Sequence, residues 1–158
     1  MKNSFLICIT ALIVSHSFAQ KNTWKIVPGR ITTPWADSVD PSSVLNEYPR
    51  PQLQRKDWIN LNGLWQYSIL SNSYSGIPAN FQGNILVPFA IESSLSGVGK
   101  SVGKDSILWY QRTIEVPVKR KGKKILLHFG AIDWRSDVFV NGKKVGRHEG
   151  GYIDLLLI

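Results

Sequence analysis

The stretch Val138-Phe139-Val140-Asn141-Gly142-Lys143-Lys144-Val145 leaves little choice of local structure. Apolar residues alternate up to the Asn-Gly pair and resume beyond it. Asn-Gly is the preferred two-residue link between antiparallel strands, because both of its positions need positive φ. The sequence therefore predicts a β-hairpin here. The same period of two recurs upstream. Trp65, Tyr67 and Ile69 fall on one face of a run beginning at Gly63, with Gln66 and Ser68 on the other. Asn84 to Pro88 holds the apolar run Ile85-Leu86-Val87, Trp109 to Val116 alternates, and Ile125, Leu127 and Phe129 share a face. Trp65, in phase with Tyr67 and Ile69, is expected in the core. No apolar 3.6-residue period persists over a dozen residues with caps. The chain reads as all-β, its strands separated by loops, as in a sandwich or barrel.

The first residues follow another logic. Lys2, the apolar run Phe5 to Val14 and the small residues of Ser17-Phe18-Ala19 form the three parts of an export signal. The apolar run is too short for a spanning helix, which needs ~20 residues, so no stable membrane insertion is expected. Residues 1–19 are read as a cleaved signal peptide, which implies a periplasmic or extracellular protein. The only cysteine, Cys8, lies inside it, so no disulfide, thiol nucleophile or cysteine metal site is expected in the mature chain. Residues 20–56 carry Pro28, Pro34, Pro41, Pro49 and Pro51, too many for a helix. Trp24, Trp35 and Tyr48 are spread through them, which suggests an extended leader held on the domain by aromatic anchors. Residues 57–158 make the β-sandwich.

Among 158 residues the formal charge is +8, and much of the excess is the run Lys119-Arg120-Lys121-Gly122-Lys123-Lys124. Such a run can bind a polyanion. It lies between two apolar stretches and no other basic stripe accompanies it, so a solvated turn is expected and no nucleic-acid partner. Gly97-Val98-Gly99-Lys100-Ser101 suggests a phosphate loop, but Ser94 stands where the first glycine of that motif is required and no helix follows. His128 and His148 show no metal-ligand spacing, and His128 reads as a structural, hydrogen-bonded histidine. No Gly-x-Ser-x-Gly elbow exists. No cofactor and no metal are expected. Glu92, Glu115 and Glu149 have no context that would pair them as glycosidase carboxylates, so no catalytic residue is assigned. The loop Glu92 to Ser106 is long and rich in Ser and Gly. It either lines a binding surface or is merely long. In Asp133-Trp134-Arg135, a carboxylate, an indole and a guanidinium share a polar corner, where Trp134 is open to packing or to ligand contact.

Four segments in order are similar to one known family. Asp57-Trp58-Ile59-Asn60-Leu61-Asn62-Gly63-Leu64-Trp65-Gln66-Tyr67 resembles the opening strand of the N-terminal sugar-binding domain of glycoside hydrolase family 2. Leu86-Val87-Pro88-Phe89-Ala90-Ile91-Glu92-Ser93 resembles the segment after it, and Trp109-Tyr110-Gln111-Arg112-Thr113 its Trp-Tyr-x-Arg strand. Phe139 to Tyr152 is similar to its Asn-Gly hairpin and closing Gly-Gly-Tyr. The resemblance implies a galactose-binding-domain-like jelly-roll sandwich. In family enzymes an immunoglobulin-like sandwich and a (β/α)₈ barrel follow, and the barrel carries both catalytic glutamates of a retaining β-galactosidase, β-glucuronidase or β-mannosidase. No segment here matches that barrel, so the chain alone is expected to be inactive.

Its implied partners are a β-glycoside oligosaccharide or polysaccharide and the downstream domains of the same enzyme. Substrate contacts are expected first at Asp133, Trp134 and Arg135, then at Trp109, His148 and Glu149. After Tyr152 the family pattern is lost. The tail Ile153 to Ile158 is apolar and lacks turn chemistry, so the expectation is a truncated or frame-disrupted sandwich, incomplete at its C-terminal end and poorly soluble. A stand-alone carbohydrate-binding or adhesion module and a structural sandwich without ligand are the competing readings.

Overall fold

The computed structural model describes residues 24–157; the export signal read from residues 1–19 lies outside them. Seven strands follow one another: β1 Gly63–Ser71, β2 Gly83–Val87, β3 Ser106–Gln111, β4 Leu127–Phe129, β5 Arg135–Val140, β6 Lys143–Glu149 and β7 Leu155–Leu157. Every pairing among them is antiparallel, and no helix longer than a 3-10 turn occurs among the described residues. The all-β fold class expected from alternation is the one observed, in a β-sandwich arrangement. One sheet has the order β2-β1-β3, and β4-β7 and β5-β6 form two further ribbons.

The core sits on the central strand. Tyr67 on β1, Ile85 on β2 and Ile91 just beyond β2 are buried, with Trp65, Ile69, Val87 and Leu108 packed around them. Burying such a side chain is worth ~1.5–3 kcal/mol each. Trp65 reaches this core as expected, half-buried, its indole N–H donating to Leu61 O at 2.8 Å. The opposite face of β1 is not simply solvated. Ser68 is fully buried there, its hydroxyl accepting from Gln82 N at 3.2 Å.

The Asn-Gly hairpin forms as read. Val140 pairs with Lys143 across Asn141 (φ 49°) and Gly142 (φ 78°). Other boundaries differ from the sequence reading. The strand expected over Trp109–Val116 ends at Gln111, and at the next residue the Arg112 guanidinium donates to Leu61 O at 2.7 Å and Asn62 O at 2.8 Å, just ahead of β1. The apolar tail, read as lacking turn chemistry, pairs as β7 with β4, Leu127 facing Leu157 and Phe129 facing Leu155. Leu157 also lies against the bare Cα of Gly146 on β6, where no side chain stands in its way. His128 is exposed on β4 and its ring makes no hydrogen bond among the described residues; the half-buried face of that strand belongs to Leu127 and Phe129.

The leader touches the domain at particular points. Trp24 donates to Leu95 O at 2.9 Å, and Tyr48 meets Trp58 edge to face at 4.9 Å. Ala36 and Val44 are buried, whereas Trp35 is 74% exposed and anchors nothing. The basic run forms a 3-10 turn, Val118–Arg120, and the turn after it, with Arg120 and Lys123 both approaching Asp57.

Candidate functional site at the open end of the hairpin

Five of the six residues singled out as substrate contacts come together, and the hairpin register is the reason. Arg135 stands opposite Glu149 and Ser136 opposite His148, so the segment entering β5 and the segment leaving β6 meet at the end away from the turn. Directly opposed residues of an antiparallel pair present their side chains to the same face, so Arg135 and Glu149 share one face of this end and His148, with Ser136, lies on the other. Gly150 N donates to Trp134 O at 2.6 Å, which ties the two segments beyond the last strand pair. The Asp133–Trp134 peptide is cis. Asp133 folds against Gly151, where a Cβ would come 3.0 Å from its Oδ1. The His148 ring is held on its own strand exit, Nε2 lying 3.0 Å from Gly150 O.

Trp134 itself is 64% exposed, a large indole left in water at the centre of this corner. Asp133 and Arg135 flank it in sequence and Glu149 pairs with Arg135 across the hairpin, all three with exposed side chains. None of these three makes a hydrogen bond or ion pair through its side chain among the described residues. Unspent acceptors, an unspent five-donor guanidinium and a bare ring face suit a ligand dense in hydroxyl groups with an apolar C–H face.

Trp109 is placed elsewhere. It pairs with Ser68 on β1 and packs on Phe139, ring centroids 5.8 Å apart, near the turn end of the hairpin. Phe139 is four residues along β5 from Arg135, some 13 Å at the usual rise of a strand. Trp109 thus joins the three-stranded sheet to the hairpin. Its indole N–H is buried without a partner among the described residues, as is the Ser136 hydroxyl.

On the hairpin surface Asp137 accepts from Arg147 Nε at 2.7 Å and Nη2 at 3.0 Å, and pairs with Lys144 at 2.7 Å. Hydrogen bonds from Arg147 and then Lys144 hold its carboxyl well below the usual carboxylate range. The same bond raises the Arg147 guanidinium. Sequence reading did not single this cluster out, because its members touch only once the strands are paired. Among the described residues no cluster of side chains could hold a metal ion.

No protein-family model matches the chain. The chain is 31% identical over 101 residues to a protein named beta-galactosidase from Thermoanaerobacter pseudethanolicus, which covers 61% of this chain and 14% of that relative. It is 30% identical over 99 residues to a protein named beta-glucuronidase from Bacteroides fragilis, 63% of this chain and 13% of the relative. It is 29% identical over 122 residues to one named beta-glucuronidase from Felis catus, 67% of this chain and 18% of the relative. The chain thus spans only a small part of the length of the curated relatives it matches.

Proposed function

We propose that this chain carries the sugar-binding β-sandwich of an exported glycoside hydrolase of the family 2 kind. Its distant similarity to proteins named beta-galactosidase and beta-glucuronidase supports a glycoside hydrolase-like origin. The observation that carries the sugar-binding role is the corner at the open end of the hairpin. There one end of the hairpin carries an exposed indole and three exposed charged side chains, none of which makes a side-chain hydrogen bond or close ion pair among the described residues. In this reading Trp134 packs on the C–H face of a β-glycoside, Asp133 and Glu149 accept its hydroxyl protons, and Arg135 donates to its oxygens.

The reactive carboxylate pair of the hydrolase belongs to another part of the enzyme. Glycoside hydrolysis needs two carboxyls held about 5–10 Å apart on either side of the bond. Export rests on the pattern of residues 1–19. The test is direct. The purified chain is titrated with methyl β-D-galactopyranoside and methyl β-D-glucuronide, and assayed for hydrolysis of the chromogenic forms of both. Binding without hydrolysis is the expected result. Hydrolysis by this chain alone overturns the placement of the catalytic carboxylates, and failure to bind any β-glycoside overturns the sugar-binding role.

A further inference from the structure

A second place on the molecule leaves charged groups unspent, on the far side of the sequence from the hairpin. The leader crosses the loop after β2 and is fastened there. Val27 N donates to Ser94 O at 3.1 Å, the Ser94 hydroxyl donates to Val27 O at 2.6 Å, and Arg30 Nη2 donates to Gly99 O. The loop is itself held from within, since the fully buried Ser96 hydroxyl bonds Ser93 O at 2.8 Å and accepts from Val98 N at 3.0 Å. Between these two fixed segments lies a recess of about 410 Å³, lined by Gly29, Arg30, Ile31, Glu92, Ser93 and Ser94. That volume is within the ~300–1,000 Å³ of small-ligand sites.

Its chemistry differs from that of the other recess of similar size, about 430 Å³, beside β1. There each charged side chain already has a protein partner. Asp40 accepts from the Ser42 amide and hydroxyl, and Arg112 donates to two backbone carbonyls. In the leader recess Glu92 makes no hydrogen bond or ion pair among the described residues, although Arg30 lines the same space. The remaining N–H groups of Arg30 likewise have no partner among them. Opposite charges that share a recess without meeting leave an acceptor and a set of donors aimed at whatever fills it. A ligand of single charge would be opposed by one of the two. A neutral molecule whose hydroxyls both donate and accept satisfies each. Tyr110 stands near enough to Glu92 that, after burial, the Glu92 charge contributes to raising its phenol.

We infer that the recess between leader residues 29–31 and loop residues 92–94 is a second binding site for a neutral sugar, with Glu92 accepting and Arg30 donating. The inference rests on the carbohydrate role proposed above but uses none of the hairpin residues. Amide chemical shifts of the full chain are followed during titration with methyl β-D-galactopyranoside, methyl β-D-glucopyranoside and lactose, each to millimolar concentrations. Shifts at Gly29, Ile31, Ser93 and Ser94, weakened about tenfold in affinity by Glu92→Gln and unaltered by Trp134→Ala, are expected. Glu92 is exposed and the substitution nearly isosteric, so an unchanged thermal transition accompanies the loss. Shifts confined to residues 133–135 and 148–151 overturn the second site and leave the proposed function standing. No shift with any of the three sugars overturns the second site, and no shift with methyl β-D-glucuronide as well overturns the proposed function with it.

Discussion

Gly97 carries the Trp24 ring over its bare Cα: a Cβ there would come 2.5 Å from ring Cδ1, and the residue sits at φ +77°. Gly122 has nearly the same φ, +80°, with open space around it. The two separate strain from contact. Replacing Gly122 by Ala introduces only the left-handed backbone cost, on the order of 1 kcal/mol. Gly97→Ala adds the displacement of an indole that donates to Leu95 O, for a total of about 2–3 kcal/mol in urea unfolding. In a Trp24→Ala background the excess of Gly97→Ala over Gly122→Ala disappears. An excess that persists would show that the ring is not what Gly97 accommodates. At the same scale, Asp133 and Arg135 were legible as a polar corner because they flank Trp134 in sequence, and the hairpin supplies Glu149. Arg30 and Glu92 were not, since nothing local links residues so far apart.

The β5–β6 hairpin is held by turn chemistry at one end and charge on its surface. Asp137, bonded by Arg147 and Lys144, keeps its carboxyl depressed in the folded chain. The stability this adds is present above the ordinary carboxylate value, ~3.9, and is lost as pH falls from there towards the depressed folded value. Asp137→Asn therefore lowers the thermal midpoint at neutral pH, and the gap to the parent narrows on the acid side of about pH 4. A gap constant down to about pH 2 would remove Asp137 as the titrating group. This hairpin was the most legible element, because Asn141-Gly142 is a local instruction. The end of β3 was not legible. Alternation continues to Val116, whereas backbone pairing with β1 stops at Gln111, a limit set by the partner strand and not by the local pattern. Nor was β7, whose unbroken leucines carry no period of two and become a strand only through β4 and the space above Gly146.

At the scale of the whole molecule, burial is concentrated in one sheet. Ile85 and Leu86 are fully buried, whereas Val140, Val145 and Leu156 of the two ribbons remain about half exposed. Local opening follows such differences. Native-state hydrogen exchange is expected to show the slowest amides around Tyr67 and Ile85 on β1 and β2, with β4-β7 and the open end of β5-β6 exchanging faster through separate openings. Uniform protection across all three sheets would mean that Trp109 on Phe139 and Leu157 on Gly146 couple them more tightly than their burial indicates. The fastening of leader to loop joins residues 67 to 71 positions apart in sequence. Contacts of that span form late, once the intervening chain has paid the entropy of closure. The arrival of Trp24 over Gly97 is accordingly a clock hand: its emission reports the moment at which the molecule has finished assembling.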